Sequence, residues 1–290
     1  RTGVHGFAGR CLTTRPPRQS RRLMVAKATA RSAVSINHLT KAEVELKLLQ
    51  GNSREKFVST SMSDEELPPT PLEQLRTMAA VETMLTEDLR HIEVYTMDGL
   101  LSLFWHGRPE AEHVVIACGG AMGGVLGPAD ALYQDLGVAF TDMGIGLIRV
   151  GYRAPNDTEK CVHDLVAAAD LATRSGGKTF ITMGHSFGGA PALQAAVILQ
   201  EHCAGVVTLA TQSAGCEPAE DLASRTPVIL FHGDKDEILP LQASELVRMV
   251  IGGGELVPLP GVGHLLAEAG EEIRGRLMEW IPEKFEEHSV

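Results

Sequence analysis

From residue 91 onward, short aliphatic runs alternate with longer segments whose apolar residues recur every three or four positions. HVVIA, IGLIRV, TFITM, GVVTLA, PVILF and ELVPL are each too short for a helix and too uniformly apolar for a half-exposed strand. They read as strands buried on both faces. Between them, PADALYQDLGVAFTDMG, TEKCVHDLVAAADLATRSGG, GAPALQAAVILQEH, the stretch around Leu241–Val250 and the stretch Glu271–Glu287 carry a helical period. Strand and helix in strict alternation predict a mostly parallel sheet, because each helix must return the chain to the edge where the next strand starts. The exception is IEVYTMDGLLSLFWHG. Two β-rich runs there flank Asp98-Gly99, which suits a tight hairpin turn, so the first two strands are expected to be antiparallel.

Upstream the pattern is different. Residues 38–90 contain two helix-like stretches, around Thr40–Gln50 and Pro71–Leu85, separated by a polar run and the Pro68-Pro69-Thr70-Pro71 stiffener. This predicts a helical or linker extension preceding a core at 91–288. Residues 1–37 are rich in Arg, Ser, Thr and Ala and have no long apolar stretch, a composition resembling an organelle transit peptide or a basic disordered tail. The Ser/Thr/Ala content favours a plastid over a mitochondrion, with the cytoplasm as the alternative.

Charge sharpens that division. Residues 1–42 hold nine Lys/Arg and no acid, while the rest holds 17 basic against 37 acidic residues. So acidic a body repels phosphate backbones, which disfavours nucleic acid as a partner. No apolar run approaches the roughly 18 to 20 residues that span a bilayer. With 44% hydrophobic but only 4% aromatic residues, the interior must be aliphatic. The five cysteines (Cys11, Cys118, Cys161, Cys203, Cys216) are odd in number and form no C-x-x-C pair, which disfavours a disulfide framework or a structural zinc.

The chemistry concentrates in three places. Gly184-His185-Ser186-Phe187-Gly188-Gly189 lies between the strand TFITM and an Ala-rich helix, the context of a G-x-S-x-G turn that exposes a serine hydroxyl. Such a serine needs a base, and the base needs a carboxylate to fix its tautomer. In this turn type the acid and then the histidine follow in chain order. Asp236, in HGDKDEILP, and His264, in GVGHLL, both follow strands and would meet Ser186 at the carboxyl ends of the sheet. Asp234 is the rival acid. His185, His163 and His232 read as packing or surface histidines. Gly176-Gly177-Lys178-Thr179 mimics the end of a phosphate loop, but it lacks the first glycine and precedes a strand, so it reads as a helix stop.

GHSFGG, HGDKDEILP and GVGHLL together resemble the serine-nucleophile α/β-hydrolases, in particular their esterase and acyl-hydrolase branch, over about residues 91–288. The resemblance implies an α/β fold with a doubly wound, mostly parallel eight-stranded sheet. It implies Ser186 as nucleophile, Asp236 as acid and His264 as base, with no metal or organic cofactor. The oxyanion loop maps onto Gly119-Gly120-Ala121, with Cys118 where relatives commonly carry histidine. The amides of Phe187 and Gly120 are the expected donors, with Ala121 as the alternate. Only about 14 residues separate Gln212 from Pro227, where many relatives insert a lid, so no large cap domain is expected. Pocket walls would then come from Met122, Phe187, Ile238 and Leu265, or from residues 38–90 crossing the rim. The implied substrate is a small or lipid-like acyl ester or thioester. A non-catalytic receptor on the same fold and an acyltransferase with the same triad are the alternatives.

Overall fold

Among the described residues the sheet is built from nine strands in the order β1-β2-β3-β5-β4-β6-β7-β8-β9. The structure is a computed structural model and describes residues 68–288, within a compact unit running from Glu65 to Val290. The transit-peptide segment and the helix expected around Thr40–Gln50 lie outside the described residues. The strands are β1 Thr77–Thr86, β2 Leu89–Thr96, β3 Gly99–His106, β4 His113–Cys118, β5 Gly146–Gly151, β6 Thr179–His185, β7 Cys203–Leu209, β8 Val228–Gly233 and β9 Glu255–Leu259. The helices are α1 Pro128–Asp142, α2 Thr158–Ser175, α3 Gly189–Leu199, α4 Gln242–Val250 and α5 Gly270–His288. From β4 onward every sheet pairing but one is parallel. The exception is β5 with β3, because β3 returns antiparallel between β2 and β5.

The doubly wound α/β class is as expected, with three differences in detail. The stretch Pro71–Leu85 is not a helix: after a short 3-10 turn at Glu73–Leu75 it becomes β1, antiparallel to β2. Its Glu, Gln, Leu, Met and Ala favour a helix locally, but the ladder with β2 overrides so weak a preference. The sheet therefore has nine strands instead of eight, and the boundary at residue 91 cuts through β2. The antiparallel portion also extends beyond one hairpin, since β1–β2, β2–β3 and β3–β5 are all antiparallel. In the β2–β3 hairpin Thr96 pairs with Gly99, so Met97-Asp98 form the turn itself. Gly99 takes φ +132°, and a Cβ there would lie 2.7 Å from the Arg153 carbonyl oxygen.

Two apolar layers sandwich the sheet. On one face Ile116, Ile148, Val150 and Val206 pack beneath α2, α3 and Val247 of α4. On the other, Val115, Leu147, Met183 and Phe231 pack beneath α1 and α5. The helices begin and end where side-chain chemistry directs. Asp157 caps α2 by accepting the Lys160 amide (3.2 Å), and Gly176 closes it at φ +126°. The four described cysteines are free and buried, and burial raises each thiol to about 12, so none is poised as a thiolate.

Two buried polar groups carry consequences for stability. Asp164 of α2 is fully buried and holds the loop after β5 by accepting both the amide and the Nε–H of Arg153. Asp164→Ala would strand a buried guanidinium, and the expected loss is about 3–5 kcal/mol in urea unfolding. His106, at the end of β3, is pressed against Gly137 of α1, and burial lowers its pKa to about 4, with Arg149 adding to the effect. Between about pH 6.5 and 4 the unfolded chain therefore binds a proton that the folded chain refuses. Folding stability should fall over that window by on the order of 3 kcal/mol from this residue. Urea unfolding at pH 7 and pH 4.5 measures the slope, which His106→Leu should flatten.

Candidate active site

Ser186 follows β6 directly, at φ +56°, a left-handed backbone that an ordinary side chain avoids. The turn persists because its neighbours leave no room for relaxation. A Cβ on Gly184 would collide with the Gly188 carbonyl, and one on Gly188 would collide with the Gly119 carbonyl. The helix α3 begins immediately behind, and the Gln212 amide donates to the Ser186 carbonyl (3.2 Å). The hydroxyl is thereby fixed above the carboxyl end of the sheet, between the loops that leave β4 and β7.

Asp236 and His264 arrive on the loops after β8 and β9. The Ser186 hydroxyl donates to His264 Nε2 at 3.0 Å, and His264 Nδ1–H donates to Asp236 Oδ2 at 2.7 Å. The three side chains thus form one unbroken hydrogen-bonded line. Burial by itself would raise the Asp236 carboxyl. The Leu239 amide, the His264 ring and the Ile238 amide outweigh it, holding the pKa below its usual range and the group ionised. Asp234 does not compete for this place, because its Oδ1 accepts the Gly261 amide at 2.7 Å and pins the start of the histidine loop.

Two histidines read from sequence as packing residues lie against this line. His232 is wholly buried. Its Nε2–H donates to the Leu239 carbonyl (2.9 Å) and lies 3.3 Å from Asp236 Oδ2, and its Nδ1 receives the Ser244 hydroxyl (2.7 Å). It anchors the turn whose amides clasp Asp236. His185 donates Nε2–H to the His264 carbonyl (3.1 Å), and the two rings tilt together at 5.0 Å. Burial holds His185 down to about 4, so it stays neutral and adds no charge beside the base. Sequence spacing signals neither role, since each depends on which carbonyl the fold delivers.

The loop after β4 crosses the serine closely. A Cβ on Gly120 would stand 3.5 Å from the Ser186 Cβ, and the Gly123 amide closes a turn onto the Gly120 carbonyl (2.9 Å). Tyr133 and Tyr152 donate their hydroxyls to the Cys118 and Gly119 carbonyls (2.9 and 3.2 Å). Cys118 points away from the site into the core, its thiol directed at the Met183 and Gly188 carbonyls. Among the side chains expected as pocket walls, Met122, Ile238 and Leu265 are exposed on the loops that carry the site. Phe187 is not a wall: its ring is buried edge-on to Tyr152 in the core. Between β7 and β8, residues 210–227 hold only two short 3-10 turns, so no cap domain stands there. Two open clefts of about 830 and 780 Å³ flank α2, and neither includes a triad residue.

A phospholipase/carboxylesterase family model matches residues 155–270, a span that contains Ser186, Asp236 and His264. No curated protein sequence matches the chain. Solved structures do. Est1E from Butyrivibrio proteoclasticus is 18% identical, with 67% of this chain and 98% of that one covered and a TM-score of 0.57. A dienelactone hydrolase from Anabaena variabilis is 18% identical, covering 70% and 98%, at 0.56. A Xanthomonas campestris protein, described as an α/β serine hydrolase without a lid, is 19% identical, covering 69% and 98%, at 0.52. At these identities the structural likeness is one of fold. With the nine-stranded sheet, it shows that the chain has the α/β-hydrolase fold.

Proposed function

We propose that the protein is a serine hydrolase that cleaves carboxylic esters or thioesters through an acyl-enzyme. The observation that carries this reading is the continuous line from Asp236 through His264 to a serine held at φ +56° beside Gly120. The phospholipase/carboxylesterase match over the same residues agrees with it. Ester-cleaving chemistry also fits the names of Est1E and the dienelactone hydrolase.

In the first half-reaction His264 Nε2 takes the Ser186 proton as Oγ attacks the acyl carbonyl. The carbonyl π pair moves onto oxygen, and the amides of Phe187 and Gly120, with Ala121 as the alternate, receive the oxyanion. Asp236 remains ionised and stabilises the imidazolium it faces. Collapse breaks the bond to the leaving alcohol or thiol, which departs with the proton from His264. In the second half-reaction water gives its proton to His264, attacks the acyl-enzyme and releases the acid, restoring the Ser186 hydroxyl.

A fluorophosphonate probe should label the wild type and leave Ser186→Ala unlabelled. The same substitution should lower turnover of 4-nitrophenyl esters by on the order of 10⁶. An alanine variant that labels as well as the wild type overturns the assignment of the nucleophile. For residues 1–37 we propose organellar, plastid-directed targeting on their basic, acid-free composition. A fluorescent reporter fused to residues 1–42 should then enter the organelle, and one that stays cytosolic overturns the proposal.

A further inference from the structure

Three loops around the triad, those after β4, β8 and β9, carry large apolar side chains into solvent. Met122 is 94% exposed in the turn next to Gly120, Ile238 is 68% exposed two residues past Asp236, and Leu265, beside His264, is 63% exposed. Leu126, at 54%, joins them through α1. The Tyr133 amide binds the Leu126 carbonyl, and the Ala129 amide binds the Leu265 carbonyl at 2.7 Å. Apolar side chains this open, gathered on the loops of one site with no cap inserted between β7 and β8, are positioned to meet a ligand.

The charges on the same loops are mostly negative. Asp130, Asp234, Glu237 and Glu268 are exposed there, and the only Lys or Arg in segments 119–130, 234–240 and 261–270 is Lys235. Outside residues 1–42 the chain carries 17 basic against 37 acidic residues, so the wider field reinforces the local one. Arg153, on the loop after β5, is already engaged by Asp164. The rim thus offers apolar surface to a ligand but no free guanidinium among its described residues to receive a phosphate or carboxylate.

We infer that the substrates are uncharged, apolar carboxylic esters, and that anionic acyl donors, including thioesters of a phosphorylated carrier, are turned away by the acidic rim. This rests on the proposed hydrolase activity and narrows its substrate class. Glu237 is the specificity-determining charge singled out for test. It is exposed beside Ile238, and neither its amide nor its carboxylate holds Asp236, whose contacts come from Ile238, Leu239 and His264. A net three negative charges at a spacing on the order of 10 Å disfavour a monoanion in dilute salt by roughly tenfold, and 0.3 M salt removes most of that effect.

The test uses the purified full chain and three butyryl donors: 4-nitrophenyl butyrate, its 3-carboxylate derivative and butyryl-coenzyme A. kcat/KM is measured at 20 and 300 mM NaCl. The neutral ester should be cleaved best and show little salt dependence. The carboxylate derivative should be cleaved roughly tenfold less well at low salt and should recover as salt rises, and the coenzyme A thioester should be weaker still. Glu237→Lys should raise the two anionic rates several-fold through KM and change the neutral ester far less. If the anionic donors match the neutral one at both salts, or if Glu237→Lys moves all three equally, the charge inference is overturned while the hydrolase stands. If none of the three is turned over and the fluorophosphonate does not label Ser186, the hydrolase reading falls and takes this one with it.

Discussion

The turn at Ser186 is the constraint on which the rest of the site depends. A left-handed serine costs on the order of 1–3 kcal/mol, and nothing at that residue offsets it. The offset comes from the close approach of three main-chain segments. Gly184 lies under Gly188, Gly188 lies under Gly119, and Gly189 is packed against Thr211 from the end of β7. The side-chain-free surface of the elbow lets β4, β6 and β7 converge closely at their carboxyl ends, and that convergence fixes the turn. The loop after β4 and the serine are consequently one packed unit. Cys118 fits this unit as a small buried group whose thiol faces the Met183 and Gly188 carbonyls. The place where relatives commonly carry histidine is here occupied by a residue that packs against the elbow.

The acid and base are held differently, by hydrogen bonds that reach the main chain. Asp236 is oriented by two amides of its own turn, and that turn is tied down by His232, which is tied in turn to Ser244 of α4. His264 is fixed at its ring by Asp236 and at its backbone by His185, which neighbours the nucleophile. The base is therefore referenced to the serine twice, once through its own ring and once through the residue preceding Ser186. Because burial keeps His185 neutral, this second link carries no charge that would disfavour an imidazolium at His264 in the proposed acyl transfer.

How much of this could be read from the chain alone follows from how local each signal is. The elbow was legible because its glycines, strand and helix are contiguous. The alternation of buried strands with helices was legible because periodicity survives without knowledge of the neighbours. β1 was not, since Ala, Glu, Met and Leu prefer a helix until β2 offers a ladder. Asp234 and Asp236 share a loop, and only the folded turn sends one carboxylate to Gly261 and the other to His264. The direction of Phe187 was equally hidden. Its position in the motif is fixed by sequence, but its burial is decided by Tyr152, which lies on another strand's exit.

Main-chain anchoring has a consequence for the division between chemistry and recognition. The rim loops are fastened through carbonyls and amides: Tyr133 to Cys118, Tyr152 to Gly119, Ala129 to Leu265 and Tyr133 to Leu126. None of these bonds uses the side chains of Met122, Leu126, Ile238 or Leu265. The loops can accordingly hold the reacting groups in register while their side chains stay in water, where a cap or a collapsed pocket would otherwise be needed to order them. Apolar side chains not committed to packing remain available to a substrate, and their replacement leaves the hydrogen bonds that set the geometry intact. On this scaffold reaction geometry and substrate preference are carried by different atoms of the same loops. Under the proposed reading, changing the ring of charged and apolar side chains would alter what approaches Ser186 while these main-chain hydrogen bonds stay in place.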